Sequence, residues 1–430
     1  LLWILSKLGA KKARAWLLPR SDPKATEKTL TLIRSLGRPV VLAFASSAGE
    51  YEQILPPLEN LRSEGWSALV CFFSPSGIKF AKARKDEIPF VASPLDTLWH
   101  VHRFFDALQP QIVLVARQEL WPCFLKVASE RSSLYLVDAA VSSSKKRNGT
   151  LTSITNQLSM YHLFHHIFCV SKKDYDWFRN LGIPPEKLQI TGDTKFDRAY
   201  QRLGKYEEKR SSITEDWLAC YGDRHTLVVG SAWPEDLMLV LKAIQTLDLD
   251  IQVALVPHDP SPRMCLEMIE ISKEFGFETT MYSKRQTKNS KEIRLDNVKL
   301  DSKTPRQIIL VDQLGLLFEF YDVASWTWVG GALHHQVHNV LEPGIRGTPT
   351  AFGLNYHNSG EARDLVAEKL VLATDQPREL AEWIKRTPPK LDKCLLEAMQ
   401  RKMGASEKIH EWIHQNKISK MTHTYLEKLQ

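Results

Sequence analysis

Glu50 closes the small-residue run Ser46-Ser47-Ala48-Gly49-Glu50. This run lies between the apolar stretch VVLAFA (residues 40–45) and a helical pattern over 51–61 that carries Ile54, Leu55, Leu58 and Leu61. In an open α/β sheet the carboxyl ends of the strands are where ligands bind. A carboxylate held there can take a proton from a hydroxyl, which makes Glu50, with Ser47 and Gly49 beside it, a candidate for chemistry. The same residue also suits the first turn of a helix, where its charge complements the dipole. The local sequence leaves both readings open.

Other strand ends repeat the pattern. ARQELWPC (116–123) places Glu119 and Trp121 just before Pro122. Glu119 either orients a ligand hydroxyl or charges a helix start with Pro122 at its first position. ITGDTKFD (190–197) carries Lys195, suited to an anion or to solvent. In VVGSAWPEDL (228–237), Gly230 and Ser231 are small enough for backbone amides to approach a phosphate. ALVPHDPSPR (254–263) adds His258, Asp259 and Arg263. The densest cluster is VGGALHHQVHNVLEPGIRG (329–347). Gly330 and Gly331 permit a tight turn, and His338 and Asn339 precede an expected short helix beginning near Asn339. Its start suits a phosphate, and Glu342 inside it suits vicinal ribose hydroxyls. His334, His335 and His338 have no carboxylate or cysteine at a recognised ligand spacing, so no metal is expected. Neither GxxxxGK[ST] nor a strand-linked GxGxxG occurs, which argues against an ATPase or an ordinary dehydrogenase.

These positions need a scaffold, and the apolar runs supply it. The first half offers runs at 40–45, 67–73, 112–116, 134–138 and 166–170. The second offers 226–230, 251–256, 307–311, 323–329 and 348–352. Alternation with helical patterns, and apolarity that is continuous rather than alternating, predict parallel strands buried on both faces. The charged, strand-free stretch near 200–222 reads as an inter-domain connection, and the polar stretch at 283–306 as an exposed loop. The expected architecture is α/β: two Rossmann-like domains facing a cleft, at 21–200 and 223–400, joined by 201–222, with a C-terminal helix at 401–430.

A length of 430 residues with 43% hydrophobic and 25% charged residues describes an ordinary globular chain of two or three domains. The net charge of +7 suits an anionic ligand or membrane surface. No nucleic-acid motif appears, so nucleic acid is not an expected partner. The six cysteines (71, 123, 169, 220, 265, 394) have no CxxC spacing and read as reduced thiols of a cytoplasmic compartment. The N-terminal stretch LLWILSKLGAKKARAWLLPR, 1–20, holds five basic residues and no acid. It is too charged to span a bilayer and reads either as an amphipathic helix lying on an anionic membrane or as a packed surface helix.

The ordered set of S-x-G-E after the first strand, ELWP after the third, G-x-x-K-F-D closing the first half and G-G…H-N-x-L-E-P in the second resembles the bacterial 3-deoxy-D-manno-octulosonic acid (Kdo) transferases, over about residues 40–365. The resemblance implies the GT-B fold, with the C-terminal helix crossing back to the first domain. It also implies an inverting, metal-free and cofactor-free transfer of Kdo from CMP-Kdo to a lipid A precursor at the cytoplasmic face of the inner membrane. By the same resemblance Glu50 is the base. His338, Asn339 and Glu342 hold the nucleotide, Lys195 lies near the donor's anionic groups, and Gly230, Ser231, Gly330 and Gly331 line the donor side. Ser47, Gly49 and Glu119 support the acceptor side. Four positions depart from the family pattern: Arg117 replaces an acid, Ala140 and His258 replace arginines, and Trp233 replaces a histidine. The alternatives are a GT-B transferase with another activated sugar and a non-catalytic paralogue that binds lipopolysaccharide intermediates.

Overall fold

The computed structural model describes residues 23–84, 88–117, 119–141, 159–207, 212–221, 224–247, 249–283, 306–389 and 391–427. The N-terminal stretch 1–20 and nearly all of the polar stretch at 283–306 lie outside the described residues. The chain divides into two compact units, residues 1–201 with 402–430, and residues 202–401.

The N-terminal unit is built on a parallel sheet of seven strands: β1 (Val40–Ala45), β2 (Ser67–Phe72), β3 (Phe90–Ala92), β4 (Ile112–Ala116), β5 (Ser133–Ala139), β6 (His166–Cys169) and β7 (Leu188–Ile190). Their spatial order is β3-β2-β1-β4-β5-β6-β7. Successive residues of β1 feed opposite faces, as strand geometry requires. Leu42 and Phe44 pack with Val101, Phe105 and Phe124 on one face. Val41 and Ala43 pack on the other with Tyr51, Ile54 and Leu58 of helix α1 (Ala48–Ser63). That second layer also takes Ile409 and Ile413 of the C-terminal helix, Ala405–Glu427, so the chain's end returns to this unit. Two further helices reach the strand ends, α2 (Pro122–Arg131) after β4 and α3 (Thr194–Glu207) after β7.

The C-terminal unit repeats the plan with β8 (His225–Ala232), β9 (Ile251–Pro257), β10 (Phe277–Met281), β11 (Arg306–Leu310), β12 (Trp326–Val329), β13 (Thr350–Phe352) and β14 (Leu372–Ala373). They are ordered β10-β11-β9-β8-β12-β13-β14. The charged stretch expected to connect the domains is helical where described. Helix α4 (Ser212–Tyr221) sets Trp217 and Tyr221 into this unit's core against Val228 and Phe320. Helix α5 (Pro234–Gln245) covers the opposite face with Leu237, Val240 and Leu241.

In each sheet two adjacent strands send their connections in opposite directions: β1 and β4 in the first, β8 and β12 in the second. Such switch points leave a crevice outside the carboxyl ends of the strands. Glu50 follows β1 and Arg117 follows β4. Ser231 is the last residue but one of β8, and Gly330 follows β12. The sheet topology thus brings candidate residues scattered in sequence to one edge of each unit. All six cysteines are free thiols, with Cys71, Cys169 and Cys265 buried. Among the described residues no helix is long and apolar enough to cross a membrane.

Candidate functional site

Ser47 caps helix α1. Its hydroxyl accepts the Glu50 amide at 3.3 Å, while Glu50 Oε2 accepts the amides of Ser46 at 2.6 Å and Ser47 at 3.1 Å. This is a reciprocal capping box. It starts the helix at Ala48 rather than at residue 51, so Glu50 stands in the first helical turn instead of the turn before it. Gly49 lies in the same turn, and a Cβ there would meet nothing within 4 Å. The two readings of Glu50 are therefore compatible. Both amides end on Oε2, and no described residue donates to Oε1. Burial raises the Glu50 carboxyl above its ordinary value, and the charge of Glu119 adds to this. The Ser46 and Ser47 amides and the Arg117 guanidinium pull it back. A carboxylate made more basic while kept in place is what proton abstraction requires.

Around Glu50 the ends of β4, β5 and β7 converge. Glu119 accepts the Trp121 indole N–H at 2.8 Å, and Trp121 stacks on Phe73 at 3.9 Å. Pro122 takes the first position of α2. Arg117, in the left-handed region at φ +56°, directs its guanidinium to Asp193 at 3.5 Å. Asp193 also accepts from Gln53 Nε2 at 3.2 Å and from the Lys195 amide at 3.0 Å. Lys195, expected among the donor residues, thus stands on the N-terminal unit's edge in the first turn of α3. The Arg117 amide bonds Val137 O at 2.9 Å, so this cation stands just past the strand next to β5, which leads to Ala140.

On the C-terminal unit's edge, Asp236 organises the glycine turn. Buried at 1% exposure, it accepts the Trp328 indole at 2.9 Å, the Gly331 amide at 3.0 Å and the Trp233 amide at 3.0 Å. Strand β8 does not stop at Gly230 but runs on to Ala232 through an irregularity at Ser231, whose φ is +51°. Gly331 has φ +94°, and a Cβ there would come within 2.5 Å of Gln336 O. A Cβ on Gly330 would come within 2.4 Å of Ser231 O. Glycine is required at both by close approach.

His338 lies against this turn, and two of the departures meet it. The ring of His258 stacks on His338 at 4.4 Å and on Trp233 at 4.9 Å. Trp233 also contacts His335 at 4.3 Å. Burial, then the neighbouring imidazoles of His258 and His335, push His338 down to about 4. The cluster is therefore neutral and aromatic at His338. Among the described residues no group of three His, Cys, Asp or Glu side chains is disposed to hold a metal ion. The expected helix near Asn339 is a single turn, α6 (Leu341–Gly344), preceded by Asn339, whose Oδ1 accepts the Leu341 amide at 3.0 Å. Buried Glu342 is ion-paired with Arg202 at 2.6 Å, and the ring of Phe318 lies between Arg202 and Arg346.

The family described as 3-Deoxy-D-manno-octulosonic-acid transferase (kdotransferase) matches residues 17–198. A 3-deoxy-D-manno-octulosonic acid transferase of Rickettsia felis is 25% identical over 350 residues, covering 80% of this chain and 70% of the relative. That of Haemophilus influenzae is 26% identical over 341 residues, covering 76% and 74%. The family match over residues 17–198 and the similarity over most of the chain together support a divergent member of the Kdo transferase family. It is accordingly a glycosyltransferase. UDP-GlcNAc 2-epimerase from Neisseria meningitidis, solved bound to UDP-GlcNAc, shares the fold with a TM-score of 0.57 at 12% identity, covering 87% of this chain and 100% of that one. A putative epimerase from Listeria monocytogenes gives 0.55 at 13% identity, covering 86% and 95%. With the two Rossmann-like units, this places the Kdo transferase relative in the two-domain α/β fold of the GT-B type.

Sequence reasoning missed Gln53, Asp193 and Arg202, and did not weigh Asp138 or Asp236 as site residues. Asp138 ends the apolar run LYLVD and reads as part of a strand. Asp236 was visible only as one of two acids at a helix start.

Proposed function

We propose that this enzyme transfers Kdo from CMP-Kdo to a hydroxyl of a lipid A precursor with inversion, at the cytoplasmic face of the inner membrane. The observation that carries the reading is Glu50, anchored through Oε2 with its basicity raised by burial. Family membership supplies the sugar. Glu50 takes the acceptor proton as the acceptor oxygen bonds to the anomeric carbon. The bond from that carbon to the phosphate oxygen breaks, and its electron pair leaves with CMP. Gly230, Ser231, Gly330, Gly331, His338 and Asn339 form the edge that receives the donor, with Glu342 fixing the turn through Arg202. The test is CMP release by the purified protein given CMP-Kdo and a tetra-acylated lipid A precursor, beside Glu50→Gln. Release with a glycosylated lipid product, lost in the variant, supports the reading. Turnover that survives the substitution refutes the base.

The Trp233–His258–His338 stack favours one second reading, a GT-B transfer from a different activated sugar. An aromatic, weakly charged edge holds anions less strongly than the arginine and histidine of the family pattern. Turnover with another nucleotide sugar, and none with CMP-Kdo, would establish it.

A further inference from the structure

Asp138 lies near the carboxyl end of β5 with φ +53°, where the pairing with β6 shifts register between Leu136 and Ala139. The irregularity breaks strand alternation, and the Asp138 side chain is fully buried. Its Oδ1 accepts the Thr194 amide at 3.0 Å, and its Oδ2 is in close contact with Thr194 Oγ1. Thr194 Oγ1 also lies 2.6 Å from the backbone oxygen of Gln53.

These contacts can be counted in hydrogens. Three oxygens, Gln53 O, Thr194 Oγ1 and Asp138 Oδ2, make two hydrogen-bond contacts in a row. A carbonyl oxygen only accepts, and a threonine hydroxyl carries one hydrogen. That hydrogen serves Gln53, so the second must come from the carboxyl group. We propose that Asp138 is held as a neutral carboxylic acid and acts as a positioning residue, donating from Oδ2 to Thr194 and thereby tying the Glu50 helix to the Lys195 turn.

The electrostatics agree with the count. Burial, then the charge of Asp193, push the Asp138 carboxyl well above the carboxylate range. Asp193 and Arg117 are the charged groups that face it, and Arg117 opposes the rise while already engaged with Asp193. Both tied segments carry candidate residues. Gln53 belongs to α1, one turn after Glu50, and Thr194 immediately precedes Lys195. The assignment does not depend on which sugar is transferred.

The experiment is a pH titration of the full chain labelled with carbon-13 at the aspartate carboxyls, with the Asp138 resonance assigned through Asp138→Asn. The expected result is a carboxyl that stays protonated at neutral pH while the exposed aspartates titrate near their ordinary value. An Asp138 carboxyl that ionises with the others overturns the proposal. Asp138→Asn supplies an N–H to Thr194 Oγ1 and an oxygen to its amide, so it should retain fold and turnover where Asp138→Ala loses both. Unfolding measurements decide even if Asp138→Ala fails to fold. The native wild-type chain keeps a proton that the unfolded chain releases, so its stability falls relative to Asp138→Asn as pH rises from the ordinary carboxylate value past neutrality. A pH-independent difference between the two overturns the proposal as well.

Discussion

The indole Nε1–H of Trp233 points at Nε2 of His338 across 3.4 Å. An indole nitrogen only donates, so Nε2 of His338 is the accepting, unprotonated nitrogen and the ring's proton sits on Nδ1. Protonating His338 would set two N–H groups against each other, in the same direction as the burial that already pushes it down to about 4. Trp233→Phe keeps an aromatic ring and removes the N–H. The His338 pKa should rise by about half to one unit, the equivalent of one ordinary hydrogen bond, with the Nε2–H tautomer becoming populated. Nitrogen-15 spectra of the imidazoles read both changes. An unmoved titration would show that stacking alone, without the indole donor, sets the state of His338.

Glu50 combines two functions that substitution can separate. Glutamine also closes a capping box, so Glu50→Gln should leave the unfolding midpoint nearly unchanged while turnover falls roughly 10²–10⁴-fold. Glu50→Ala should lose the turnover and in addition about 1 kcal/mol of stability with the cap. Because burial raises the carboxyl, the acid limb of the wild-type pH–rate profile should lie above the ordinary carboxylate value. Activity then falls as pH drops through that raised pKa. A limb at or below the ordinary value would exclude Glu50 as the group titrated.

The interior strands were legible because they are buried on both faces, and continuous apolar runs mark such strands. All ten expected runs became strands, and the four that went unseen, β3, β7, β10 and β14, are the outermost strands of the two sheets. Three of them have two or three residues, and the fourth, FETTM, is half exposed. An edge strand needs only one neighbour and carries no uniform apolar signal. In the site, Glu50 and the glycine pair announced themselves by chemistry at a strand end. The Trp233, His258 and His338 cluster did not, since these residues follow three different strands and read singly as losses of polar contacts. Asp138 was hidden for a related reason. Its significance lies in its contact with Thr194, which in turn bonds Gln53, both far away in the chain.

Two glycines flanking the candidate chemistry should respond in opposite ways to alanine. At Gly331 the left-handed backbone costs an L-residue about 1–2 kcal/mol, and the added Cβ would collide with Gln336 O at 2.5 Å. Gly331→Ala should therefore destabilise by at least ~1 kcal/mol. Gly49 has open space around its Cβ position inside a helical turn. Gly49→Ala should be neutral or stabilising by up to ~1 kcal/mol. Urea unfolding compares the two directly. Equal losses would mean that neither glycine is explained by its backbone geometry.

The C-terminal helix is secured by a contact that acid should loosen. Trp412 stacks on His166 of β6 with ring centroids 3.8 Å apart, and Phe168 and Tyr135 close around the indole. His166 is 2% exposed, and the backbone of Glu186 is the group that opposes the effect of its burial. Burial pushes it down to about 4, whereas in the unfolded chain an imidazole titrates near ~6.5. Between those values the unfolded chain binds a proton that the folded chain refuses, so stability falls as pH drops through this window. The loss attributable to His166 should reach roughly 2 kcal/mol by about pH 5. His166→Phe preserves an aromatic partner for Trp412 and has no proton to bind. The substituted protein should lose less stability than wild type between about pH 7 and pH 5 by that amount. Parallel pH profiles for the two proteins would show that burial of His166 does not hold back its protonation in the folded chain.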